Sequence, residues 1–149
     1  MAKAQGLMPS TNPAKTETWA NEAYANNQFN KMKTKFIDKG YAVILGEYGA
    51  QSRLNLGSDQ LNAEHAEYRR YYMYYITYAL VRHGLVPFYW DNGYTGDHGM
   101  GVFNRSTGAQ AYPKIIKAII DGVAAGTVKI DQEEHTKTPR VFLLHPNYP

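Results

Sequence analysis

The chain has 149 residues, 44% of them hydrophobic and 19% charged, which fits one globular domain and excludes a disordered chain. Sixteen Lys and Arg against 13 Asp and Glu leave a net charge of +3, scattered rather than striped, so nucleic acid is a poor partner. Cysteine is absent, which removes disulfides, thiolate zinc sites and Cys nucleophiles. No apolar run reaches the roughly 20 residues that span a bilayer, and no signal peptide is visible in Met1 to Lys15.

In chain order, residues 1–18 read as an irregular lead-in. A helix follows, about Asn21 to Lys39, with Ala25, Phe29, Met32 and Phe36 on one face and Gly40 as its stop. Tyr41 to Leu45 is a short apolar run after a helix, the pattern of a parallel strand buried on both faces. A loop to Gly57 leads to Ser58 or Asp59 as an N-cap. The second helix, about Gln60 to His83, turns Leu61, His65, Tyr68, Tyr72, Ile76, Ala79 and Leu80 inward, and Tyr71, Tyr74, Tyr75 and Tyr78 widen the stripe.

Leu85 to Trp90 is the second strand, with incomplete pairing expected at Pro87. Asp91 to Met100 is a Gly-rich loop. Gly101 to Phe103 is a short extended piece, and Asn104 to Gly108 is a turn. The third helix runs from about Tyr112 to Ala125, and residues 127–149 read as a tail or linker. The order α-β-α-β-loop-α contains one right-handed β-α-β unit. Two parallel strands with three helices cover one sheet face at best. A (β/α)8 barrel takes about 250 residues, so the expected fold is α/β, a partial TIM barrel over 19–126. Unpaired strand edges make self-association the expected behaviour of such a piece.

In parallel α/β folds the site lies at the C-terminal strand ends. That places Glu47 after the first strand, and Trp90 and Asp91 after the second, on one rim. Strict alternation puts Val43, Leu45 and Glu47 on a single face. A carboxylate continuing an apolar row is costly unless paired or functional, and an indole at a strand mouth offers a platform for a sugar ring. Asp91 and Asn92 suit loop orientation or hydroxyl binding. Asp97 and His98 lack a third ligand at a recognised metal spacing. Neither a metal nor any other cofactor is expected.

Val43-Ile-Leu-Gly-Glu-Tyr-Gly-Ala50 resembles the seventh-strand segment of glycoside hydrolase family 5, the cellulase family. The approach Asp38-Lys-Gly-Tyr-Ala-Val is similar to that family's as well. Pro87-Phe-Tyr-Trp-Asp-Asn-Gly93 resembles its eighth-strand segment, and Gly99-Met-Gly-Val-Phe-Asn-Arg105 the stretch beyond it. The resemblance spans about residues 19–125. It implies an endo-β-1,4-glucanase with a retaining mechanism and Glu47 as nucleophile. It also implies sugar binding by Trp90, a β-glucan partner, and secretion of the parent protein; Asp91, Asn92 and Tyr48 are the further substrate-binding candidates. The family's Asn-Glu acid/base segment has no counterpart here, and Glu22, at a helix start, does not take that role. The chain alone is therefore expected to be weak or inactive. The alternative reading is a noncatalytic carbohydrate-binding or scaffolding module, and a third is a truncated product held together by association.

Overall fold

The structure, a computed structural model, describes residues 21–134. The lead-in of residues 1–18 and the far tail beyond 134 lie outside them. The observed order is α1 (Glu22–Lys35), a 3-10 turn (Ile37–Lys39), β1 (Ile44–Tyr48), α2 (Asp59–Arg82), β2 (Val86–Tyr89) and α3 (Pro113–Glu134). β1 and β2 pair in parallel, so α2 is the crossover of the expected β-α-β unit.

The element ends follow local chemistry. The Asn21 side chain accepts from the Tyr24 amide at 2.9 Å and caps α1; the Ser58 hydroxyl accepts from the Leu61 amide at 3.2 Å and caps α2. Gly40 and Gly84 close the two helical stretches with φ of 90° and 78°, a left-handed turn that a side chain resists. α3 outruns its expected end at Ala125 and reaches Glu134, so residues 127–134 are helix rather than tail. No Pro or C-terminal Gly stop interrupts that stretch.

The core lies between the sheet and the helices. Met73, Ile76 and Leu80 of α2 meet Leu85, Val102 and Ile115, with Tyr48 at the sheet end. Burying a Leu- or Met-sized side chain is worth roughly 1.5–3 kcal/mol, which makes this cluster the main stabilising unit. The deepest positions of α2 are Met73, Thr77, Ala79 and Leu80, all at 0% exposure. Leu61, His65 and Tyr68, expected inward, are only half-buried, and His65 borders a cavity between the first halves of α2 and α3 rather than a packed neighbour. α1 buries no residue fully and leans on the core through Ala25 and Phe29.

One sheet face packs on helices and the other is uncovered. Val43, Leu45 and Tyr89 face the core, whereas Ile44, Val86, Phe88 and Trp90 are exposed. The expectation of burial on both faces is thus met on one only, since every described helix lies on that side. β1 runs three residues later than the apolar pattern indicates. Pro87 still sits opposite Leu45. Among the described residues no helix is long and apolar enough to cross a membrane.

Candidate functional site

The pairing of β1 with β2 is regular from Ile44 to Gly46 and then shifts. Gly46 is opposite Phe88 and Tyr48 is opposite Tyr89, so Gly46 and Glu47 together face one partner residue. Such a bulge breaks the alternation and re-aims a side chain. Glu47 therefore does not continue the row of Val43 and Leu45, as strict alternation requires. It is exposed, and its neighbour Tyr48 takes the core position instead. The Trp90 amide donates to the Tyr48 carbonyl at 2.9 Å, which fixes the second strand end beside the first. Glu47 and Trp90 consequently share the C-terminal rim, with Trp90 44% exposed.

Tyr48, expected at the substrate, is turned the other way. It is 7% exposed, its ring meets Tyr89 edge-on at 6.0 Å, and its hydroxyl bonds Thr77 Oγ1 at 2.6 Å. Thr77 in turn donates to the Met73 carbonyl at 2.7 Å, so the phenol is the donor to Thr77. The bulge that frees Glu47 is what draws Tyr48 inward.

Asp91 and Asn92 hold the loop that follows. Asp91 accepts from the amides of Gly93 at 2.7 Å, Val102 at 2.9 Å and Phe103 at 3.4 Å. Arg105 approaches its carboxylate at 3.7 Å and donates to its carbonyl at 2.7 Å. Burial pushes the Asp91 carboxyl upward, but these amides and the Arg105 charge outweigh it and hold the group below the usual aspartate value. Asn92 Oδ1 accepts from the Tyr94 and Met100 amides, both at 3.1 Å. Of the two roles open to this pair, loop orientation is thus the one their geometry occupies.

The two rim loops are stitched together. The Ser52 amide donates to the Gly99 carbonyl at 2.8 Å, and the His98 amide to the Ser52 carbonyl at 2.7 Å. Asp97 accepts from the Leu54 amide at 2.7 Å and lies 3.2 Å from His98 Nε2. The bond from Leu54, opposed by slight desolvation, keeps its carboxyl below the ordinary range. Among the described residues no group of three His, Cys, Asp or Glu side chains is placed to hold a metal.

Two anchors went unread in the sequence. Ser52 is 3% exposed and gave no signal in a polar loop. Arg69, which the pattern leaves on a solvated stretch of helix, is 4% exposed. Its Nε donates to the Ala50 carbonyl at 2.9 Å, and its guanidinium lies 4.7 Å from the Tyr112 ring centre. It ties the loop three residues beyond Glu47 to α2 and to the start of α3.

Comparison with known proteins follows the same stretch. A family model described as Cellulase (glycosyl hydrolase family 5) matches residues 8–96, more than half of the chain. Endoglucanase A of Paenibacillus barcinonensis is 40% identical over 114 residues, which is 76% of this chain and 27% of that protein. Endoglucanase B of Clostridium cellulovorans is 35% identical over 116 residues, 74% of this chain and 24% of that one. The chain therefore spans about a quarter of the length of these relatives. Among solved structures, a family 5 xyloglucanase from Paenibacillus pabuli superposes with a TM-score of 0.64 at 38% identity, covering 77% of this chain and 31% of that one. A xyloglucanase from Bacteroides ovatus, solved with a XXXG heptasaccharide, gives 0.65 at 29% identity, covering 72% and 22%. These neighbours are (β/α)8 barrels, and the fold described above is part of one.

Proposed function

Because the chain belongs to glycoside hydrolase family 5, we propose that it carries the nucleophile side of a retaining β-1,4-glucanase site. The supporting observation is the bulge at Gly46 and Glu47. It leaves Glu47 exposed at the strand end, next to the residue whose carbonyl accepts from the Trp90 amide. In this reading Glu47 attacks the anomeric carbon while Trp90 supports the sugar ring bound next to it. A second carboxyl about 5–5.5 Å away protonates the leaving oxygen. The other acids of this rim, Asp91 and Asp97, are engaged by backbone amides, so that proton donor belongs to a part of the barrel outside the described residues. The substrate is a β-glucan polymer, cellulose or xyloglucan. A polymer of that size is met outside the cell, which makes the parent enzyme a secreted one.

The engagement of Asp91 and Asp97 also favours a second reading. With Glu47 the one rim carboxylate that no hydrogen bond or ion pair engages among the described residues, the chain would act as a noncatalytic carbohydrate-binding module built on Trp90. Cleavage of a dinitrophenyl β-cellobioside, whose leaving group needs no proton donor, separates the two, combined with affinity measurements on the variants. The glucanase reading expects slow release of dinitrophenolate that Glu47→Gln abolishes, and weaker binding in Trp90→Ala. Glucan binding that needs Trp90, ignores Glu47→Gln and never produces hydrolysis would replace it with the module reading.

A further inference from the structure

A cavity of about 480 Å³ lies on the helix side of the sheet, between the N-terminal halves of α2 and α3. It falls within the roughly 300–1,000 Å³ of ordinary small-molecule sites. Its lining includes neither Glu47 nor Trp90 nor any residue of the uncovered face. We propose that it binds an amphiphilic carboxylate, an apolar ring bearing one negative charge.

The walls and the charges argue for that combination. Ala63, Ala66, Pro113 and Ile115 supply apolar surface. Arg53, Arg70 and Lys114 stand around it, with Arg69 buried at its base. The one carboxylate of the lining, Glu67, is engaged by Arg70 at 2.7 Å and lies 4.0 Å from Lys114. Arg53 makes no ion pair with a described residue. Among the described residues the Arg69 guanidinium meets neutral groups, the Ala50 carbonyl, the Tyr89 hydroxyl and the Tyr112 ring, and its Nη2 is buried without a hydrogen-bond partner. A buried cation without a counter-charge leaves the cavity positive at its base. It acts there through its field, since Nη2 is enclosed. Burial, with Arg53 and Arg69 nearby, also holds the His65 imidazole below its usual range, against a smaller opposing pull from Asp97. His65 therefore adds a neutral edge at pH 7. A small anion would leave the apolar walls wet, and a neutral ring would leave the cations unanswered.

Calorimetric titration of the 149-residue chain with benzoate tests this, with acetate, inorganic phosphate and benzamide as comparisons. Saturable one-site binding of benzoate is expected, about tenfold or more tighter than each comparison. Ala66→Trp fills the cavity from an exposed helix position, and should abolish binding. Arg53→Gln should weaken it several-fold while circular dichroism stays unchanged. Non-saturable uptake, benzamide or phosphate binding as well as benzoate, or an Ala66→Trp chain that binds like the parent would each overturn the proposal.

Discussion

Gly122 of α3 lies where that helix presses on α2, and substituting it sets two effects of opposite sign against each other. A Cβ built there would lie 2.6 Å from the Tyr74 carbonyl oxygen, 3.0 Å from Thr77 Cβ and 3.1 Å from the Tyr78 amide nitrogen. Two of these are backbone atoms, which no rotamer change can move. Helix propensity alone favours Ala over Gly by about 1 kcal/mol. Forcing the helices apart costs about 1–3 kcal/mol and loosens the packing of Ile115 and Ala118 on Met73 and Leu80. The clash outweighs propensity, so Gly122→Ala should lose about 1 kcal/mol, or roughly 2–4 °C in Tm for a chain of this size. Urea unfolding followed by far-ultraviolet circular dichroism measures it, with a lowered midpoint and an unchanged slope expected. One turn on, Gly126→Ala meets Val81 Cβ at 2.8 Å and the Tyr78 carbonyl at 2.9 Å and should act in the same direction. An increase in stability from Gly122→Ala would mean that propensity wins and that the two helices do not meet as described.

The remaining expectations concern the rim and the uncovered face. Tyr48→Phe removes the buried bond to Thr77 and should lose about 1 kcal/mol, with cello-oligosaccharide affinity unchanged; a drop in affinity without a drop in stability would return Tyr48 to the substrate. Asp91 has its carboxyl held below the ordinary 3.8, so its contribution is complete above that value and is lost as pH falls through the lower folded one. The Gly93 and Val102 amide resonances should therefore stay fixed from pH 7 to about pH 4 and shift only below; movement between pH 5 and 7 would refute the assignment. Ile44, Val86 and Phe88 are 60%, 46% and 53% exposed on one face, so sedimentation velocity should show concentration-dependent association that Phe88→Glu reduces. A monomer at every concentration would count against it.

Much of this arrangement was legible in the residues. The helix bounds followed from Ser58 and from Gly40 and Gly84, because capping is local chemistry. The two strands followed from their apolar runs, β1 displaced by three residues, and the shared rim from their parallel direction. The bulge at Gly46 and Glu47 was not legible, because alternation assumes an unbroken ladder. It reversed the faces of Glu47 and Tyr48. Arg69 escaped for a similar reason: a charged residue on a helix reads as solvated, and only its tertiary contacts with Ala50 and Tyr112 explain its burial. The glycines of α3 gave no sign of a close helix contact until α2 stood beside them.

Covalent trapping tests the role of Glu47 most directly. In a 2-deoxy-2-fluoro-β-cellobioside of dinitrophenol the phenolate departs without a proton donor, so the reaction tests the nucleophile alone. Incubation followed by peptide mass spectrometry should find one fluorocellobiosyl ester, on Glu47, and none on the Glu47→Gln chain. An ester on another carboxylate, or an unmodified chain after prolonged exposure at saturating reagent, would contradict the assignment of Glu47 as nucleophile.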